Sequence, residues 1–233
     1  MTNIEQTARL AGYGTAYRYI TRGDFLFQGI NLAGASVLEV GCGRGAWALW
    51  AAQHGASRVV GIEPEADGST SDTLAHFSQS IKTLNLGTRV EAMNSSLHDL
   101  QAERFDVVVL YNVINHLDER TVPLLHTSLS AFNHYALMLR NDLQSRVNPS
   151  GWLIVADCAR SNAWNMLGLK SPMARMIEWH KHQNPSLWKR LFKEAGFSYV
   201  DLRWSPIQPF PRLTANRFVQ FFTSSHFVLR FKA

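Results

Sequence analysis

The segment Glu39-Val40-Gly41-Cys42-Gly43-Arg44-Gly45 places three glycines at alternate positions, with a carboxylate two residues before the first. Glycine lets the backbone pass close to a ligand and adopt positive φ. Glu63 lies 22 residues after Gly41, at the end of the β-branched run Arg58-Val-Val-Gly-Ile. A carboxylate there can accept hydrogen bonds from both hydroxyls of a ribose. A glycine turn followed by such an acid points to an adenosine-type cofactor.

The spacing separates two cofactor classes. The dinucleotide fingerprint is G-x-G-x-x-G, whereas here the third glycine comes one residue early. A pyrophosphate is poorly matched to Glu39, and a cationic ligand is well matched. S-adenosyl-L-methionine carries an α-amino group and a sulfonium and has no phosphate. Glu39 is a candidate partner for its amino end, through water or a backbone amide, and the same features argue against a dehydrogenase. Three histidines could accept a proton from an oxygen or nitrogen nucleophile, with His182 first, then His180, then His116. Surface, capping or packing roles are the alternatives for each. Tyr13, Tyr17 and Tyr19 could line a ligand or pack a helix.

These residues need a frame of strands and helices. Ser36–Val40, Arg58–Glu63, Arg89–Met93, Phe105–Leu110, Gly151–Ala156, Phe197–Trp204 and His226–Phe231 read as strands. Helical patterns fill 45–54, 70–86, 119–147 and 185–195, the last with Asn184 as N-cap and Pro185 as first helical residue. Strands alternating with helices predict an α/β fold, a doubly wound, mostly parallel sheet with right-handed crossovers. No crossover helix is evident between the last two strands, so a hairpin is expected there. In 161–183 the apolar residues Trp164, Met166, Leu167, Met173, Met176, Ile177 and Trp179 suggest a substrate lid or an extra packed helix.

Composition narrows the class. The 233 residues are 46% hydrophobic and 18% charged, which excludes a disordered or coiled-coil chain. No apolar run reaches the ~18 residues of a membrane span, and Met1–Leu10 is too polar for a signal peptide. A single cytoplasmic domain over 1–233 is the expectation. Cys42 and Cys158 lack zinc-ligand spacing and Asp157 stands alone after its strand, so no metal is expected. Residues 1–159 hold 11 basic and 15 acidic side chains, and residues 160–233 hold 12 and 3. The basic C-terminal segment is either a solvated face or a surface for phosphate or nucleic acid.

The chain resembles the class I S-adenosylmethionine-dependent methyltransferases over about residues 35–200. V-L-E-V-G-C-G-R-G (37–45) is similar to their first motif, and V-V-G-I-E (59–63) to the acidic end of their second strand. F-D-V-V-V-L-Y-N-V-I-N-H-L (105–117), V-N-P-S-G-W-L-I-V (147–155) and W-K-R-L-F-K-E-A-G-F (188–197) resemble later landmarks in the same order. The resemblance implies a seven-stranded Rossmann-like sheet with an antiparallel last strand, and a cytoplasmic transferase whose product is S-adenosyl-L-homocysteine. It places Gly41, Cys42 and Gly43 at the methionine end of the cofactor, Glu63 on the ribose, and Asn112 near the methyl-donating end. The family's acidic residue after strand three is replaced here by Asn94-Ser95-Ser96-Leu97, so Ser95 or Ser96 would reach the adenine and Leu97 pack on it. The N-terminal helices (1–34) would cap the cofactor. Leu117–Asn148 is longer than the family's usual segment.

Missing motifs shape the substrate expectation. Tyr111-Asn112 lacks the prolines of enzymes that methylate exocyclic base amines, and neither cysteine sits in the Pro-Cys setting of cytosine-C5 enzymes. The favoured acceptor is an oxygen or nitrogen nucleophile of a small molecule. An RNA methyltransferase using the basic C-terminal segment, or a non-catalytic module binding cofactor or protein, are the alternatives.

Overall fold

A computed structural model describes residues 3–64, 72–173, 175, 177–207 and 210–233. Seven strands follow the order β3-β2-β1-β4-β5-β7-β6. By contact density the chain divides into one unit of residues 1–111 with 146–151 and another of 112–145 with 152–233.

In the first unit, α1 (Asn3–Leu10) and α2 (Ala16–Phe27) precede β1 (Ser36–Val40), α3 (Ala46–Gln53), β2 (Arg58–Ile62), α4 (Thr73–Thr83), β3 (Val90–Met93) and β4 (Phe105–Tyr111). β1 pairs in parallel with β2 on one side and β4 on the other, so its residues are shielded from solvent. That central place explains the apolar residues Val37, Leu38 and Val40, among which Glu39 is the one charged group. The helix expected from Thr70 begins at Thr73, and Thr70 itself lies outside the described residues.

Phe77 of α4 is fully buried and sets the shape of the glycine turn. A Cβ on Gly45 would sit 2.1 Å from its ring, and one on Gly61 would sit 2.5 Å from it. Gly45 also has φ +71°. Gly43 has φ +50°, yet a Cβ there meets nothing within 4 Å. Gly45→Ala is therefore expected to cost about 3 kcal/mol of unfolding free energy, overpacking added to left-handed strain, and Gly43→Ala only about 1 kcal/mol. Urea unfolding of the two variants measures the contrast, and equal losses would refute the role of Phe77.

The second unit holds α5 (Leu129–Met138), the latter part of β5 (Val147–Cys158), α6 (Ala163–Met166), α7 (Pro185–Glu194), β6 (Ser198–Trp204), α8 (Pro211–Thr214), α9 (Arg217–Phe221) and β7 (His226–Lys232). β7 runs antiparallel to both β5 and β6, the pairing expected of the last two strands, although two short helices, α8 and α9, lie between β6 and β7 where a plain hairpin was expected. α7 buries Trp188, Leu191 and Phe192. Asn184 is its N-cap residue but makes no side-chain cap. Its Oδ1 accepts from the Ser161 N–H at 2.9 Å instead.

The 161–183 segment has one helical turn, α6, and a 3-10 turn over Trp179–Lys181. Asn162 ties it down: its Nδ2 donates to the Thr223 carbonyl at 3.0 Å and to Ser225 Oγ at 2.9 Å. Trp179 is buried, while Met166, Leu167 and Met173 are exposed. Met176 lies outside the described residues.

Candidate functional site

In the first unit the turn between β1 and α3 holds Gly41, Gly43 and Gly45 all at positive φ. Gly43 N–H donates to Glu63 Oε2 at 2.7 Å. Glu63, just beyond β2, is thereby fixed over the turn, and its other oxygen has no protein partner among the described residues. Glu39 is buried on β1. Its Oε2 accepts from Ala48 N–H at 2.7 Å and its Oε1 from Trp47 N–H at 3.4 Å, so it secures the first turn of α3. The amino-end partner expected of Glu39 is thus, in the protein alone, a partner of backbone amides. Cys42 is buried, and its thiol is pushed well above the ordinary range by burial first and by the Glu39 and Glu63 charges next.

Burial, reinforced by the charge of Glu63, raises the Glu39 carboxyl from the ordinary 4.5 to about 8, against the pull of the two amide donors. The folded protein keeps a proton that the unfolded chain releases above about pH 4.5. This contribution to stability is complete below that pH and is lost as pH rises through the window to about 8. The slope approaches about 1.4 kcal/mol per pH unit. Glu39→Gln cannot ionise and is expected to flatten the fall. Urea unfolding at both ends of the window checks this, and an unchanged wild-type slope in the variant would count against it.

The turn is ringed by aromatics. Tyr19 is buried and donates its hydroxyl to the Ala46 carbonyl at 2.7 Å. Tyr13 packs edge-on against Trp47 with centroids 5.4 Å apart, and Tyr17 is 59% exposed. Beyond β3, Ser95 Oγ donates to the Ser96 carbonyl, Ser96 Oγ bonds the Asp99 carboxylate at 2.5 Å, and Leu97 is buried. Ser96 is thus held by Asp99.

An adenosyl sulfonium ligand fits this donor set. The open space above Gly43 leaves room for the ligand, Glu63 offers a carboxylate oxygen for ribose hydroxyls, and buried Glu39 holds the first turn of α3 in place beside it.

The second unit gathers another set of polar residues around a cavity of about 230 Å³, lined by Asn112, Asn115, His116, Asp157, Lys181 and His182 among others. Asp157 Oδ1 lies 3.1 Å from His182 Nδ1. Asp157 is fully buried and His182 nearly so. The carboxylate fixes Nδ1 as the protonated nitrogen, which leaves Nε2 as an acceptor. Two buried oxygens, Asp157 Oδ2 and Asn115 Oδ1, have no hydrogen-bond partner among the described residues. Buried acceptors call for donors, so this cavity suits a ligand bearing O–H or N–H groups.

His116 is engaged on both sides. Its Nδ1 bonds Glu119 Oε1 at 2.6 Å, and Asn115 Nδ2 lies 3.3 Å from its Nε2. His180 is exposed and does not line the cavity. Of the three histidines, the geometry leaves His182 alone with a carboxylate behind it and a ring nitrogen to spare. Asn112 has φ +57°. Its Oδ1 meets His226 Nε2 at 3.1 Å, and the Ser205 hydroxyl bonds His226 Nδ1 at 2.6 Å. This relay turns the Asn112 amide NH2 away from His226. Sequence reasoning missed Asp157, Ser205 and His226 as orienting groups. One signal was available: Asp157 is the single charge ending the apolar run Trp152–Ala156. Among the described residues no cluster of three His, Cys, Asp or Glu side chains is arranged to hold a metal, and no helix is long and apolar enough to cross a membrane.

The strand order, the antiparallel last strand and the glycine turn with its downstream acid define a class I S-adenosylmethionine-dependent methyltransferase fold. The chain belongs to the methyltransferase family described as "Methyltransferase domain", whose profile matches residues 13–202 and whose members use S-adenosylmethionine. Two rice sequences, from Oryza sativa subsp. indica and japonica, bear the name "Probable protein arginine N-methyltransferase 3" and are each 32% identical over 101 residues. That stretch is 43% of this chain, and it spans only about 12% of the length of those curated relatives. Magnesium protoporphyrin IX methyltransferase from Synechocystis PCC 6803, crystallised with S-adenosylhomocysteine, superposes with a TM-score of 0.60 at 18% identity, covering 100% of this chain and 88% of that one. A methyltransferase from Aquifex aeolicus gives a TM-score of 0.60 at 12% identity, covering 97% of both chains.

Proposed function

We propose that this chain transfers a methyl group from S-adenosylmethionine to an oxygen or nitrogen of a small molecule. The observation that carries the acceptor side is the buried Asp157–His182 pair facing a cavity with two unpartnered acceptors. The cofactor, when bound, supplies an electrophilic methyl on a sulfonium. Glu63 and the open turn at Gly43 hold its ribose and methionine end, with Glu39, Gly41 and Cys42 shaping that turn. Ser95, Ser96 and Leu97 are assigned to the adenine. His182 Nε2 accepts the proton that the nucleophile sheds as its new bond to carbon forms, and Asp157 steadies the resulting imidazolium. Asn112 offers an amide donor to the acceptor, and Asn115 Oδ1 and Asp157 Oδ2 take its further donors. Much of the rate comes from holding nucleophile and methyl in line.

We assign residues 1–233 to one catalytic domain, with 1–34 as its cap and 161–183 as a wall of the acceptor side. The small-molecule reading is supported by the name of the Synechocystis neighbour, whose acceptor is a porphyrin. Incubation with S-adenosylmethionine and panels of phenols, alcohols, amines, RNA and peptides tests the proposal. S-adenosylhomocysteine accumulating with a small protic acceptor is the expected outcome. Turnover confined to RNA or peptide, or none with any panel, would overturn it.

A further inference from the structure

A second cavity, of about 560 Å³, lies in the second unit, and none of the residues assigned above to cofactor binding or proton transfer lines it. A bulge in β6 builds its floor. The register shifts between Tyr199 and Asp201, so that Tyr199, Leu202 and Trp204 oppose Phe231, Leu229 and Phe227. Without the extra residue Val200, Tyr199 would turn to the other face. With it, Tyr199, Leu202 and Trp204 share one apolar surface, which Leu229 extends into the cavity.

One side of this cavity is positively polarised. Pro185 has no N–H, and Asn184 provides no side-chain cap for α7. Among the described residues Ser186 N–H has no protein partner, at the positive end of the helix. Lys189, one turn on, holds its Nζ 3.6 Å from the Tyr199 ring centroid. Arg217 of α9 also lines the cavity. Neither cation is paired with a carboxylate among the described residues, and no acidic side chain lines the space. Met166, 74% exposed, also lines it, and the exposed rings of Phe218 and Phe222 pack edge-on at 5.2 Å in the neighbouring α9 segment.

We propose that this cavity binds an amphipathic carboxylate. The acid group sits at Ser186, Lys189 and Arg217, and an acyl or aryl body runs along Leu202, Trp204 and Leu229 toward Met166. The apolar floor favours a singly charged acid with a hydrocarbon body over a phosphate, which needs polar donors all round. The site stands whether or not methyl transfer is the chain's activity.

The test titrates the cofactor-free full chain with decanoate, decanol and inorganic phosphate, by calorimetry and tryptophan fluorescence. Decanoate is expected to bind about tenfold or more tightly than decanol, and phosphate is expected not to displace it. Lys189→Met combined with Arg217→Gln keeps the apolar bulk and is expected to weaken decanoate about tenfold without changing decanol. Trp204→Phe should keep calorimetric binding and lose the fluorescence change. Equal affinity for decanoate and decanol, ready displacement by phosphate, an unchanged double variant, or a fluorescence change surviving Trp204→Phe would each overturn the proposal. Titration of the same preparation with S-adenosylhomocysteine reports separately on the cofactor site.

Discussion

Replacing His182 with alanine is expected to lower kcat by about 10²–10⁴-fold while leaving S-adenosylhomocysteine affinity within about twofold. The effect follows from the 3.1 Å contact between its Nδ1 and Asp157, which leaves Nε2 to take the acceptor's proton. Asp157→Asn should lose a similar order of activity. The amide supplies no charge for the imidazolium, and by donating to Nδ1 it can hold the wrong tautomer. Its fold should survive, because the replaced carboxylate already has one buried oxygen without a partner. The diagnostic readout is the dependence on acceptor acidity. The His182→Ala deficit should shrink as acceptors become more acidic, since an acceptor already ionised needs no base. A deficit equal for acidic and weakly acidic acceptors would show that His182 shapes the pocket instead of moving a proton. His116→Ala should change kcat by less than about fivefold, because Glu119 and Asn115 already occupy its ring nitrogens.

The second large effect is on cofactor binding. Glu63→Ala is expected to weaken S-adenosylhomocysteine by about 100-fold in calorimetric titration. That is the scale of losing charge-assisted hydrogen bonds worth about 1.5–3 kcal/mol each. The carboxylate would bond the ribose while also holding Gly43 N–H at 2.7 Å, so its removal loosens the turn as well as the sugar contact. Glu63→Gln should fall between the two, since the amide oxygen still accepts from Gly43. NAD should bind neither protein. Should Glu63→Ala stay within threefold of wild type, the turn would have to hold its ligand by other means, and the ribose assignment would fail.

Strands were legible in the sequence where burial on both faces dictated the residues. β1, β2 and β4 are short apolar runs because other strands flank them, and their ends fell within a residue of the expectation. The early part of β5 was not legible. Asn148-Pro149-Ser150 reads as a turn, and Ser150 has φ +61°, yet Val147 opens the strand. The 161–183 segment was legible only as apolar. Its apolar residues suggested a substrate lid or a packed helix, and of these the packed helix is not seen among the described residues: Gly168 at φ +68° ends the single turn of α6, and Met166, Leu167 and Met173 stay exposed.

The site divided in the same way. Glu39, the glycines and Glu63 lie within 25 residues of one another, on a turn whose geometry follows from local sequence. Asp157 and His182 are also 25 residues apart, but the irregular path that joins them has no periodic signal. The Ser205–His226–Asn112 relay spans three separate elements and depends on the hairpin register of β6 and β7, which pattern alone does not set. Local spacing pointed to the proposed cofactor turn and residue type nominated His182 among three histidines, while the folded path supplied the Asp157 carboxylate behind it.

The ring of Phe77, wedged against both Gly45 and Gly61, ties the histories of three positions together. Neither glycine can acquire a side chain while that ring is in place, and a smaller residue at 77 would relieve the worst clash at both at the cost of a void, leaving the left-handed backbone at Gly45 and the Cys42 thiol 3.0 Å from a Cβ at Gly61 as lesser barriers. Substitutions here are therefore order-dependent. In descendants of this sequence, change at 45 or 61 becomes accessible only after position 77 has shrunk, and reversion at 77 is then blocked.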